Sequence, residues 1–450
     1  MPIQTRNPYN QEILATYDYL SDSELSQHLE LAHDTFHHWR RTSFEAKAPF
    51  LESLISLLDE RTEQYAQLMT LEMGKPLREA RGELKKCMWL CRHYLEEGAN
   101  MLEPLPLVFS DKQAEIQYQP TGAVLGIMPW NYPFWQVFRY IIPNIMAGNV
   151  ALLKHAPNTT GCGVAIEQLC EDAGFPKGVF QTLVIDIPQV EEVIAHPIVQ
   201  GVCLTGSGRA GSAVAALAGK YLKKSVLELG GTDAFAILED ADLEKALDTA
   251  FTSRMSNAGQ TCIAAKRIYV PATHLDAASS YLQSKVERLS LGDPMVEGTD
   301  MGPISKGEFI PDLAQQVAKG VAHGATVITG LNAEPPFFTP GLLVAPHENP
   351  VNHEEVFGPV LSLIPYADEE KLIGYLNDSA YGLGAAVWTN DASKAEAFSA
   401  AIEAGTVVIN GMVTSDPRIP FGGTKQSGYG REMGVPGMHA FLNEKVVVKG

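Results

Sequence analysis

The sequence is short of basic residues: 34 lysines and arginines stand against 53 aspartates and glutamates, a formal net charge of −19. That balance disfavours nucleic acid and anionic membrane as partners, because both call for a basic surface. Cysteine is scarce too. Cys87, Cys91, Cys162, Cys170, Cys203 and Cys262 form no paired CxxC framework, which points away from a disulfide scaffold and toward free thiols in a reducing, cytoplasmic setting. No apolar run reaches membrane length without a break. The most apolar span, YIIPNIMAGNVALLK, is interrupted by Pro143, Asn144, Gly148 and Asn149. The opening MPIQTRNPYN has neither a basic nor an apolar signal region, so no secretory leader is expected. Low-complexity segments and solenoid-period repeats are lacking as well.

What is present is ordinary globular composition, 45% hydrophobic and 19% charged, in 450 residues. At roughly 100 to 200 residues per domain this length implies two to four domains. Ser21 and Glu24 have capping-box spacing, and Leu25, Leu29, Ala32 and Phe36 recur at helical intervals after them. A second apolar-periodic run covers about 46–73 and ends at Gly74 and Pro76, so the first hundred residues read as largely helical. From 122 onward, TGAVLGI, VALLK, GVFQTLVI, GVCLTG and KSVLEL read as strands, with helices near 134–148, 159–173, 188–195 and 209–219 between them. Such alternation predicts a parallel, doubly wound α/β sheet. After 230 a second α/β block runs through AFAILED, KRIYVP, GATVITG, GLLVAP, LSLIPY, AAVWTN and GTVVIN, with helices near 242–257 and 273–288.

Four motifs carry possible chemistry. GSGRAG, Gly206 to Gly211, fits G-x-G-x-x-G but follows about three earlier strands, and the acid expected some 20 residues on is only Glu228. A looser role survives, with backbone amides at this helix start facing a pyrophosphate. In IMPWNYPFWQVFRY two prolines hold Asn131 extended at a strand's carboxyl end, as a turn residue or as an amide aimed at a ligand. Arg139, in the apolar helix that follows, needs an anionic partner from the protein or from a substrate. Glu228 ends an apolar strand before two glycines, as an ion-paired acid or as a base whose pKa burial raises. Cys262, in SNAGQTCIAAKR, is an inert buried thiol or a nucleophile. An ordinary thiol is only about 3% ionised at neutral pH, so the second option needs activation by its surroundings.

The order and spacing of PWNYPF, KHAPN, LTGS, ELGG, GQTC ending 34 residues after Glu228, EEVFGPV and PFGGTKQSGYGRE together resemble the aldehyde dehydrogenase superfamily. The resemblance implies an α/β fold with a Rossmann-like cofactor domain (1–104 and 119–229), an α/β catalytic domain (230–432), and a β oligomerisation arm (105–118 and 433–450). It implies that Cys262 attacks the aldehyde carbon, that Asn131 and the Cys262 backbone N–H form the oxyanion hole, and that Glu228 activates water against the thioester. Trp130, Lys154, Gly206, Ser207, Leu229, Glu355 and Phe357 match cofactor contacts, and no metal is needed. Pro157 stands where many NAD-preferring members carry a glutamate. Without that carboxylate a 2′-phosphate is not repelled, so NADP is expected as the preferred cofactor with NAD as a second.

KHAPN, TCIAAKR and INGMVTSDPRIPFGG look most like bacterial succinate-semialdehyde dehydrogenases. On that resemblance Arg139 pairs with the distal carboxylate of the semialdehyde, helped by Ser415 and Arg418, and Thr261 and Ile263 shape the wall beside Cys262. Another small aldehyde, a coenzyme A-acylating enzyme sharing Cys262, and a catalytically silent relative are the alternatives. The expected partners are a small aldehyde and a second copy of the chain, in a dimer or tetramer formed through EIQYQP and EKVVVKG.

Overall fold

The computed structural model describes residues 2–109 and 112–449. Met1, Ser110, Asp111 and Gly450, which fall in the expected domain and arm segments, lie outside the described residues.

The helix Asp22–Trp39 forms as its spacing requires: Leu25, Leu29, Ala32, Phe36 and Trp39 are all buried along one stripe. Its start is closed reciprocally, Glu24 N–H donating to Ser21 Oγ at 3.3 Å and Ser21 N–H to Glu24 Oε2 at 2.8 Å. The 46–73 run is two helices, Phe44–Glu60 and Thr62–Met73, parted at Arg61, whose guanidinium pairs with Asp172. The second ends on Gly74 with φ +87°, which a glycine adopts without steric penalty. A strand hairpin, Ile3–Arg6 with Ile13–Tyr17, precedes them and has no strong sequence signal. The 25-residue helix Leu77–Met101 follows and runs beneath the site.

A six-stranded sheet has the order Gly428–Tyr429, Lys224–Glu228, Val199–Thr205, Ala123–Met128, Val150–His155, Phe180–Thr182. All pairings are parallel except the first, where Gly428 lies opposite Glu228. The chain winds outward from Ala123–Met128 in both directions, so the crevice beyond its carboxyl end, beside that of Val199–Thr205, is the topological switch point. Within this strand Gly126 leaves room for a ring: a Cβ there would lie 2.3 Å from Tyr140. The GSGRAG segment follows the fourth strand in chain order, not the first. Its helix is Gly208–Lys220, capped by Ser207, whose Oγ accepts from Ala210 N–H at 3.3 Å.

The second sheet has seven strands, Thr326–Thr329, Gly341–Val344, Val360–Tyr366, Arg267–Pro271, Ala234–Ile237, Gly384–Trp388 and Thr406–Ile409, parallel except at the first pair. One apolar cluster fills the first α/β unit, and two cover the opposite faces of the second sheet. Strands Leu105–Phe109, Lys112–Pro120 and Leu442–Lys449 make a separate antiparallel sheet. The return of Gly428–Tyr429 means that the first sheet is completed by residues the sequence alone placed with the catalytic block. Among the described residues no helix is long and apolar enough to cross a membrane.

Arg254 ties the second unit to the cysteine segment. It is fully buried at the end of the helix Leu243–Met255 and donates to Val360 O at 2.6 Å, Val356 O at 2.8 Å and Gly259 O at 3.3 Å. Burial pulls its pKa down to about 9, so its charge is held by carbonyl dipoles with only distant help from Glu355. Arg254→Met leaves three buried carbonyls without their donor and should cost about 3 kcal/mol of stability. Scanning calorimetry reads this as a lowered Tm, and an unchanged Tm contradicts it.

Candidate active site

The segment before Cys262 is a tight left-handed turn: Asn257, Ala258 and Gly259 have φ of +56°, +53° and +70°. Only Gly259 takes this conformation freely; at Ala258 it costs on the order of 1–3 kcal/mol, so surrounding contacts must impose it. They do so through buried amides. Asn131 Nδ2 donates to Gln260 O at 2.9 Å, and Asn257 Nδ2 donates to Asn131 O at 2.9 Å and Gln260 O at 3.2 Å. Gln260 Nε2 returns a bond to Asn257 O, and its Oε1 accepts from Ser305 N–H, both at 3.0 Å. Glu79 Oε2 accepts Asn257 N–H at 2.9 Å. Gly259 also needs its missing side chain, since a Cβ there would sit 2.2 Å from Gly358 O.

Cys262 comes out of this turn at the meeting of two cavities. The larger, about 600 Å³, occupies the switch-point crevice and is lined by Trp130, Asn131, Gly206, Ser207, Leu229, Glu355 and Phe357, among others. The smaller, about 280 Å³, lies on the far side of Cys262, where Tyr132, Trp135, Arg139, Ser415 and Phe421 form much of its wall. Thr261 and Ile263 flank the thiol there. Among the described residues only Cys262 and Gln136 line both spaces, so the thiol residue borders each of them.

The aromatic wall of the larger cavity is ordered by its own contacts: Trp130 meets Phe357 edge-on at 5.9 Å and stacks on Phe309 at 5.8 Å. Glu355 accepts Gly231 N–H at 3.0 Å and pairs with Lys266 Nζ at 3.2 Å, and a Cβ on Gly230 would meet its Oε2 at 2.2 Å. Lys266 also donates to Cys262 O at 2.5 Å and Thr261 O at 3.0 Å. Lys154, next to the last residue of its strand, has no ion pair among the described residues, and Pro157 is exposed just beyond the strand. Neither Lys154 nor Pro157 lines the cavity itself.

Three expected residues stand differently from their sequence reading. Glu228 is buried, and both carboxylate oxygens lack a hydrogen-bond partner. Burial and the neighbouring Glu432 carboxylate hold its pKa well above the usual range, against the pull of Arg139 and Arg431. Its side chain lines neither cavity and points toward Gly422. Arg139 is in the wall of the smaller cavity, but its Nη2 pairs with Glu432 Oε2 at 2.6 Å and its guanidinium lies over Phe421 at 4.8 Å. Its charge is already matched by the protein, although its Nε–H has no acceptor. Arg418 is exposed, forked onto Asp416 at 2.6 and 2.9 Å and laid over Trp89, away from the cavity wall.

Sequence reasoning missed a row on the helix Leu77–Met101. Glu79, Glu83 and Lys86, spaced at helical intervals, all face the smaller cavity. Glu83 Oε1 caps the next helix by accepting Phe134 N–H at 2.8 Å and Trp135 N–H at 2.9 Å, while Oε2 pairs with buried Lys75 at 2.5 Å. The heptad-like spacing within LREARGELKK was the available signal. The structure also brings together His347, His353 and Asp378, a grouping the sequence did not suggest. These are engaged with one another and with Tyr269, His347 Nε2 meeting Asp378 at 2.9 Å and Nδ1 meeting Tyr269 OH at 3.0 Å.

The family model described as "Aldehyde dehydrogenase family" matches residues 1–447. The chain belongs to the aldehyde dehydrogenase family. A relative from Synechocystis sp. named "Probable succinate-semialdehyde dehydrogenase [NADP(+)]" is 42% identical over 99% of each chain. A "Succinate semialdehyde dehydrogenase [NAD(P)+]" of Escherichia coli is 40% identical, covering 98% of this chain and 97% of the relative. Among solved structures, succinic semialdehyde dehydrogenase from Streptococcus pyogenes in complex with NADP+ superposes with a TM-score of 0.96 at 37% identity over 99% of both chains.

In this aldehyde dehydrogenase the Cys262 thiol is pushed up to about 11 by burial, against the opposing effect of Lys266 and Arg139. The resting thiol is therefore protonated at neutral pH. Alkylation of Cys262 by iodoacetamide in the enzyme without ligands should speed up about tenfold per pH unit from 7 to 9, as the thiolate fraction rises. Peptide mapping against time measures this. A rate that levels off near neutral pH contradicts it.

Proposed function

We propose that this enzyme oxidises succinate semialdehyde to succinate with NADP+ as preferred acceptor and NAD+ as a second. The observation that carries the reading is Cys262 at the neck between two cavities of different character. The larger fits a dinucleotide: it lies at the switch point, offers the N-terminus of the 13-residue helix Gly208–Lys220 for phosphate, and has a Trp130–Phe357–Leu229 wall for a ring. Lys154 without an ion pair and Pro157 in place of an acid suit a 2′-phosphate. A nicotinamide bound there supplies the hydride acceptor. The substrate and cofactor in the names of the relatives support the same reading.

The protein's own part follows from these positions. Sγ gives up its proton and attacks the aldehyde carbon, forming a thiohemiacetal. On this reading the negative charge that develops on the oxygen is met by the Cys262 backbone N–H and by the second hydrogen of Asn131 Nδ2, whose first goes to Gln260 O. Loss of hydride from the same carbon leaves a thioester on Sγ. Glu228 then takes a proton from water, hydroxide adds to the thioester carbonyl, cleavage of the C–S bond frees the acid and the Cys262 thiolate, and the proton held by Glu228 is released to restore the resting thiol. In the structure the Glu228 side chain points toward Gly422 and lines neither cavity, so this step requires its rotation into the site. Its partnerless oxygens are consistent with a group that is not locked in place.

We also propose that the separate three-stranded sheet joins copies of the chain into a dimer or tetramer. Support comes from exposed Leu105, Leu107, Val108, Phe109, Val446 and Val448 on its strands. Six free thiols, five of them buried, support a reducing, cytoplasmic setting.

Wild-type enzyme should form NADPH from succinate semialdehyde without coenzyme A. Glu228→Gln should release one burst of NADPH per active site and then turn over about 10²–10³-fold more slowly. Stopped-flow absorbance separates burst from steady state. Turnover that requires coenzyme A, or an unchanged steady state in the variant, overturns the mechanism.

A further inference from the structure

Outside the two cavities, the second α/β unit gathers three side chains able to bind a metal ion, each from a separate segment. His347 follows the strand Gly341–Val344, His353 closes the short helix Pro350–His353, and Asp378 is the C-cap of the helix Glu369–Asn377. One ligand atom from each lies within 4.8 Å of the other two. Two imidazoles and a carboxylate suit zinc-type ions, which bind them at about 2.0–2.2 Å and keep a further place for water. The Asp378 side chain is 63% exposed, so it is free to close onto an ion and leaves a side open to solvent.

The hydrogen bonds leave lone pairs where an ion needs them. His353 Nε2 lies 3.0 Å from His347 O, and a carbonyl only accepts, so Nε2 carries the proton and Nδ1 keeps its lone pair. The buried ring of His347 stacks on Tyr375 at 4.3 Å, and its Nδ1 lies 3.0 Å from Tyr269 OH. That hydroxyl accepts from Arg267 Nη1 and reaches Tyr375 O, both at 3.3 Å. It can therefore give its proton to Tyr375 O and accept His347 Nδ1–H, which turns the Nε2 lone pair toward Asp378 Oδ2, 2.9 Å away. A partner on the far ring nitrogen is how ligating histidines are oriented. Without an ion, the proton sits on Nε2 and goes to Asp378, so the group is satisfied in both states.

We propose that His347, His353 and Asp378 bind a zinc-type divalent ion, which clamps together two segments that lead to the larger cavity. His353 lies two residues before Glu355, a residue of that cavity's wall. Ser379, next to Asp378, meets Thr232 Oγ1 at 2.7 Å, one residue beyond the Gly231 N–H that donates to Glu355. The ion takes no part in the chemistry at Cys262; it holds the chain that carries Glu355.

The test is equilibrium dialysis of metal-free enzyme against graded Zn2+, with bound zinc counted by mass spectrometry and Tm recorded with and without zinc. Two other places on this chain offer zinc ligands, the Cys262 thiol and the exposed pair His33 and His37, whose Nε2 atoms are 3.2 Å apart, so Cys262→Ser and His37→Gln are the controls. His353→Gln and Asp378→Asn should each weaken one equivalent of zinc about tenfold or more, and Tyr269→Phe, which removes the partner of His347 Nδ1, should weaken the same equivalent about tenfold. Zinc should raise the Tm of wild type, Cys262→Ser and His37→Gln, but not that of His353→Gln at the same concentration. The side chains of His353 and Asp378 are partly or largely exposed, so their variants fold without the ion. Wild type that binds no zinc, zinc binding unchanged in either of these two variants, or zinc lost only in Cys262→Ser or His37→Gln overturns the proposal.

Discussion

The left-handed turn at Asn257–Gly259 is the constraint on which the site depends. A chain left to itself does not place an alanine at φ +53°, and it does so here because the Asn131, Asn257 and Gln260 side-chain amides bond across the turn. The partners come from both units: Asn131 from the first sheet, Arg254 and Gly358 from the second, and Glu79 from the helix beneath. The thiol's position is thus set by how the two units pack, and its presentation to two cavities is a consequence. Asn131 braces Gln260 O and also lines the larger cavity together with Cys262.

Charge in the site is arranged by pairing. Lys75 with Glu83, Arg139 with Glu432 and Lys266 with Glu355 are matched, which makes each inexpensive to bury. Lys86 and Glu228 have no such partner among the described residues. One is a cation without a carboxylate and lines the smaller cavity, and the other is a carboxylate without a donor.

Much of this was legible in the sequence, because strand and helix periods report burial locally. The strands from Ala123–Met128 to Lys224–Glu228 and the helices between them lie where their patterns put them. Motif spacing likewise placed Trp130, Asn131, Gly206, Ser207, Leu229, Glu355 and Phe357 around one cavity with Cys262. What sequence did not disclose were pairings between distant segments. Nothing local in IMPWNYPFWQVFRY says that Glu432, 293 positions on, neutralises Arg139, or that Ser415 will accept from Lys86. Arg418 sat in the right loop, yet Asp416 two residues before it offered a nearer carboxylate. The break at Arg61 was hidden because helical periodicity continues across it, and the hairpin Ile3–Arg6 with Ile13–Tyr17 because its strands are short and half exposed.

The central claim is that Cys262 carries the substrate covalently between the two cavities. Acid quenching of enzyme turning over succinate semialdehyde with NADP+, followed by digestion and mass spectrometry, tests it most directly. The account predicts a succinyl thioester on the peptide containing Cys262 and on no other cysteine. Continued turnover with Cys262 unmodified, or an adduct confined to another residue, would contradict it.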